Sequence, residues 1–130
     1  MTPARLPASK KPVEFVGASR RELRGMPREV RYVFGYAILL AEMGDKHPNA
    51  KPLKGFGSAG VLEAIEDFDR STYRAVYTVQ FEGVVYVLCA FQKKSIKGKK
   101  TPPKDINLVK SRLKLAEEHH RKNYQSKKAG

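Results

Sequence analysis

Two strand-like runs, Tyr73–Phe81 and Val84–Phe91, flank the dipeptide Glu82-Gly83. β-branched and aromatic residues fill both runs, and such residues suit a pleated, half-buried surface. Glu82-Gly83 predicts a two-residue hairpin turn, with Gly83 free to take a positive φ. Phe81 then faces Val84, Arg74 faces Phe91 and Tyr73 faces Gln92. Alternation puts Tyr73, Ala75, Tyr77, Val79 and Phe81 on one face with Val84, Tyr86, Leu88 and Ala90. This more aromatic face is expected to receive the helices. The other face carries Arg74, Val76, Thr78 and Gln80 with Val85, Val87, Cys89, Phe91 and Lys93. Arg74 and Lys93 become diagonal neighbours there, about 7–8 Å apart. Two such cations repel unless an anion lies between them, and a guanidinium with an ammonium suits one phosphate. A bulge near the strand end would put Lys94 in the place of Lys93.

Each assignment has a competitor. For Arg74 it is an ion pair with Glu63, Glu66, Asp67 or Asp69 on the preceding run. For Lys93 and Lys94 it is a solvated strand end whose charge guards an edge. The basic loop that follows, with Lys97, Lys99 and Lys100, favours a phosphate site over both.

The remaining elements are placed around this hairpin. Val13–Val16 reads as a short edge strand. Ser19 and Glu22 have the spacing of a capping box at a helix start. Gly25-Met26-Pro27 stops that helix, and Pro27 suits the first turn of a second. Val30, Val33, Phe34, Ala37, Ile38 and Ala41 repeat at one helical face, and Gly44 ends it. Residues 45–60 carry Gly and Pro without period and read as loop. Val61–Phe68 is a third long strand. Thr101-Pro102-Pro103 opens a last helix, with Ile106, Val109, Leu113 and Ala116 at helical spacing. The result is an α+β fold: two N-terminal helices and a C-terminal helix packed with one antiparallel sheet of about four strands. Residues 1–11 read as a loose basic arm, 12–122 as the single domain and 123–130 as a basic tail.

Charge narrows the function. The 130 residues carry a formal charge of +13. Residues 91–130 hold 13 basic and 3 acidic groups, so the positive field is concentrated there. Such a field attracts polyanions through counterion release. No apolar run is long enough to span a bilayer, and no secretory signal follows the N-terminal cations, so no membrane partner is expected. The single cysteine, Cys89, excludes an internal disulfide and fits a reducing, cytoplasmic setting. No His/Cys/Asp/Glu cluster has metal-ligand spacing and no Gly-rich phosphate loop is present, so neither metal nor cofactor is expected. His47 reads as an exposed loop residue. His119 and His120 lie late in the last helix, where either can serve acid–base chemistry if the helix folds back over the sheet.

Lys51-Pro-Leu-Lys-Gly-Phe-Gly57, Leu62-Glu63, Tyr73-Arg74-Ala-Val-Tyr77, Val87-Leu88-Cys-Ala-Phe91-Gln-Lys-Lys-Ser95, Thr101-Pro102 and Arg112-Leu113 occur in this order. Together they resemble the HigB-like, phage-derived host-inhibition branch of the RelE/ParE toxin superfamily, over residues 13–115. The resemblance implies the toxin of a type II toxin–antitoxin pair. It implies a metal-independent endoribonuclease that cuts mRNA on the ribosome, neutralised by a HigA-like helix-turn-helix antitoxin. By position Arg74 matches an arginine that contacts the scissile phosphate, and Lys94 or Lys93 matches a basic residue at the end of the next strand. The strand Leu62–Phe68 lacks the paired lysines of some RelE members, and Cys89 stands where many members carry histidine.

Cleavage of this kind uses the 2′-OH as nucleophile and needs cations for the phosphorane. Arg74, Lys93 and Lys94 are the catalytic candidates. Lys97, Lys99 and Lys100 are candidates for holding the RNA backbone, and Phe91 for stacking on a base or for packing. Two other classes stay open: a non-catalytic toxin that binds a protein target, as gyrase-inhibiting relatives do, and a plain RNA-binding module. Oligomeric state and codon preference are not encoded in any readable pattern.

Overall fold

Phe68 pairs with Ser71 across Asp69-Arg70, and both turn residues have positive φ, 51° and 65°. That is the mirror-image turn whose twist matches two antiparallel strands. Arg70 holds a left-handed conformation without being glycine, which costs roughly 1–2 kcal/mol. Arg70→Gly is therefore expected to raise stability by about 1 kcal/mol, read as a higher midpoint in thermal or urea melts.

The computed structural model describes residues 10–57, 60–93 and 101–125. Chain order is β1 (Val13–Phe15), α1 (Ser19–Arg24), α2 (Arg28–Glu42), β2 (Ala50–Pro52), β3 (Val61–Phe68), β4 (Ser71–Thr78), β5 (Val85–Lys93) and α3 (Pro103–His120). A π-type turn, Arg121–Gln125, extends α3. The sheet runs β1-β5-β4-β3-β2. It is antiparallel except for β1, which lies parallel to β5. The described residues form five strands, one more than expected. The extra one, β2, forms inside the Gly/Pro segment read as loop, where Lys51 pairs opposite Glu63.

Helices cover both faces. On one, Val30, Phe34, Ala37, Ile38 and Ala41 of α2 pack with Tyr73, Ala75, Tyr77, Val85 and Val87. On the other, Val109 and Ala116 of α3 pack with Val61, Val76, Tyr86, Leu88 and Cys89. The aromatic face does receive the two N-terminal helices, but the Arg74 face is roofed by α3.

Three local expectations are corrected. Thr72–Val76 pair with Cys89–Lys93 in the expected register, but the pairing then shifts, because Tyr77 faces Val87 and Leu88 is extra. A bulge reverses the alternation on its far side. Val85 and Val87 therefore join Tyr77, while Tyr86 and Leu88 join Val76. Second, Glu82-Gly83 does not close a tight hairpin. β4 stops at Thr78, Val79 N–H bonds to the Gly60 carbonyl at 2.8 Å, and Phe81 turns onto Tyr86 and His120. Gly83 does take a positive φ of 82°. Third, Ser19 does not cap α1; its Oγ is buried with no hydrogen-bond partner among the described residues. Glu22 reaches out to the sheet and α3 instead, accepting from Ala90 N–H at 3.2 Å and from Arg112.

Candidate functional site

The α3 face is apolar along most of its length and polar at one end. Register places Glu63 and Asp67 of β3, Thr72 and Arg74 of β4 and Lys93 of β5 on that end. The start of α3 crosses it and adds Thr101 and Asp105. Arg74 sits opposite Phe91, two positions along from Lys93, so the two cations share a face as the alternation predicts.

That flank is closed over the arginine. The Arg74 side chain is 3% exposed, as is that of Glu63. Arg74 Nη1 donates to Glu63 Oε2 at 3.0 Å and to Thr101 Oγ1 at 3.2 Å. Thr101 Oγ1 donates to the same carboxylate oxygen at 2.6 Å. The ion pair weighed against the phosphate site is thus present. Among the four acids considered, Glu63 takes Arg74. Asp67 accepts from Thr72 at 2.8 Å, and Glu66 from Asn49 at 3.0 Å.

A second carboxylate lies near the cations. Burial pushes the Asp105 carboxyl above its ordinary range, against the pull of Lys104, Arg74 and Lys93. All three cations are therefore within electrostatic reach of one group in the first turn of α3. Glu63 and Thr101 also form part of the wall of a cleft of about 660 Å³, with Leu53 and Ile106 as its apolar side and Lys51 and Lys54 on its rim. Both lysines are exposed. The sequence alone does not single them out as site residues, because their segment has no period and its path past Glu63 is set by the β2–β3 pairing.

Phe91 is half-buried and packs in the cluster under α3. Lys94, Lys97, Lys99 and Lys100 lie outside the described residues. Burial pushes the Cys89 thiol up to about 12, reinforced by Glu22, so it stays protonated and inert at neutral pH. The C-terminal histidines lie about 25 Å along α3 from Thr101. His119 Nδ1 is 2.8 Å from the Tyr86 hydroxyl, and His120 Nε2 is 2.9 Å from the Glu82 carbonyl. His120 stacks on Tyr124, whose hydroxyl donates to Glu14 at 2.9 Å. These contacts pin the end of α3 to the sheet, away from the arginine. His47 accepts from Asn49 N–H through Nδ1 at 2.9 Å. Among the described residues no group of three or more His, Cys, Asp or Glu could hold a metal ion, and no helix is long and apolar enough to cross a membrane.

The family model "Phage derived protein Gp49-like (DUF891)" matches residues 21–114. No curated protein matches the sequence. Among solved structures, the toxin–antitoxin complex RelBE2 from Mycobacterium tuberculosis is similar at 20% identity, covering 70% of this chain and 100% of that one, with a TM-score of 0.44.

Proposed function

The chain belongs to the phage-derived Gp49-like family, and we propose that it is a RelE/ParE-like toxin of the HigB branch that acts on mRNA and is held in check by a helix-turn-helix antitoxin. The observation that carries this reading is the gathering of cations from four elements at one end of the α3 face. Lys51 is in β2 and Lys54 follows it, Arg74 is on β4, Lys93 ends β5 and Lys104 opens α3. A backbone phosphate entering the cleft meets lysines first. Lys93, followed in sequence by Lys94, is the group offered to the scissile phosphate, and Lys51 and Lys54 hold the flanking backbone. Arg74 acts beneath them as a positioning residue, fixing Glu63 and Thr101 in the cleft wall.

The burial of Arg74 favours a second reading, binding without cleavage. A guanidinium locked on its own carboxylate is not free to follow a developing phosphorane. Controlled expression in growing cells, with transcript ends mapped, separates the two. Cleavage predicts new transcript ends with the wild type, falling about 100-fold for Lys93→Ala/Lys94→Ala at unchanged thermal stability. Growth arrest with intact transcripts decides for the second reading.

A further inference from the structure

The outward side of α2 carries a largely exposed stripe, in which the Tyr36 ring packs edge-on against His47 at 5.5 Å. Arg28, Arg31, Tyr32, Gly35, Tyr36 and Leu39 lie opposite the buried row Val30, Phe34, Ala37, Ile38 and Ala41. Tyr32 and Tyr36 are 65% and 53% exposed. Arg28 lies over the Tyr32 ring at 5.5 Å and donates to its hydroxyl from Nε at 3.3 Å and Nη2 at 3.2 Å. These contacts brace the exposed Tyr32 ring against Arg28. Gly35 sits between the tyrosines, and a Cβ there would meet nothing within 4 Å. An interior helix glycine weakens a helix relative to alanine, and here nothing in the fold calls for it.

The charge around the stripe is selective. Residues 20–39 contain five arginines, no lysine and two acids, Glu22 and Glu29, and Arg28 and Arg31 lie on the stripe itself. All five are exposed, and none forms an ion pair among the described residues. Glu22 is engaged by Arg112, which leaves Glu29 as the exposed acid among residues 20–39. Exposed tyrosine and arginine around a central notch are the composition of a protein-binding hot spot.

The charge also eliminates two occupants. Residues 1–9 and 126–130 contain cations and no acid, so the chain's own ends are repelled. A second copy would set arginine against arginine. The stripe is straight and about 17 Å long, three turns of a facing helix. We infer that it docks an acidic amphipathic helix of a partner protein. The partner's backbone crosses at Gly35, its apolar side chains lie on Tyr32, Tyr36 and Leu39, and its carboxylates meet Arg28 and Arg31. The stripe lies across the sheet from the cleft, so the docked helix leaves Lys51 and Lys54 uncovered. That the partner is the antitoxin rests on the toxin reading; the docking does not.

The test uses the full chain carrying Tyr36→p-benzoylphenylalanine in the cells that produce it. Photolysis is expected to join position 36 to a protein segment rich in Asp and Glu with helical periodicity. With that partner purified, Tyr32→Ala/Tyr36→Ala and Arg28→Glu/Arg31→Glu each weaken binding by about 30-fold or more. Gly35→Leu weakens it as much while raising the melting temperature of the free chain, so lost binding is not lost folding. Lys93→Ala leaves it unchanged. A crosslink to RNA, to a second copy or to nothing overturns the inference, as does a Gly35→Leu variant that binds normally. Absence of growth arrest on expression removes the toxin reading alone, because the crosslink still reports on the stripe.

Discussion

Arg74→Ala is expected to cost about 3–5 kcal/mol of folding stability. The guanidinium and the Glu63 carboxylate are each 3% exposed, so removing one strands the other away from water. Thr101 would be the carboxylate's remaining partner, and one hydroxyl does not solvate a full charge. For a chain of this length the loss lowers the melting temperature by roughly 10–20 °C. Urea denaturation checks it as a shifted midpoint with an unchanged slope. Glu63→Gln/Arg74→Met is expected to recover most of the loss, since a buried ion pair roughly breaks even against apolar replacements of similar volume. This double variant also assigns the arginine its role. If it folds and still arrests growth, Arg74 serves the architecture. If it folds and is inert, the guanidinium serves the proposed activity directly. An Arg74→Ala protein within 1 kcal/mol of the wild type would refute the structural role.

The register of Arg74 is legible in the sequence, and its burial is not. Side-chain alternation has a period of two, so one correct pairing places every residue nearby. Arg74 opposite Phe91 was legible for that reason. A tight turn at Glu82-Gly83 would set the same register at Arg74; that turn does not form, and the wider loop and the extra Leu88 offset one another. Bulges leave little trace in composition, so the reversed faces of Val85, Val87, Tyr86 and Leu88 were not readable. The burial of Arg74 was hidden for another reason. The apolar spacing of Ile106, Val109, Leu113 and Ala116 shows that α3 has a buried face, not which side of the sheet it covers. Thr101 and Asp105 come to the arginine only once that side is chosen. α2 was the easiest element, since its whole core stripe lies within fifteen residues.

The second large effect lies at Arg112, a residue of the family pattern to which the sequence reading gave no role. Arg112→Met is expected to lose roughly 3 kcal/mol. Arg112 Nη1 donates to Glu22 Oε1 at 2.8 Å and to the Leu88 carbonyl at 2.9 Å, while Nη2 donates to Glu22 Oε2 at 2.8 Å. One fork thus joins α3 to α1 and binds the carbonyl of the extra residue in the β5 bulge. Gly17, with φ +56°, lets the backbone pass; a Cβ there would come within 3.2 Å of Arg112 Nε. Lysine cannot reproduce three directed bonds, so Arg112→Lys recovers only part of the loss. The pair also makes stability depend on pH. Burial alone would raise the Glu22 carboxyl, but bonds from Arg112 and from Ala90 N–H hold it below the ordinary value of 4.5. A carboxylate whose folded pKa lies below its unfolded one contributes fully above the unfolded value. That contribution is lost as pH falls through the folded value. The stability difference between wild type and Glu22→Gln is therefore expected to be constant from pH 7 to about 5 and to shrink progressively below pH 4.5. Urea midpoints of both proteins between pH 3 and 7 measure it. A difference that stays flat to pH 3 would mean that the Glu22 charge does not hold the fork, and that packing of the Arg112 stem carries the junction instead.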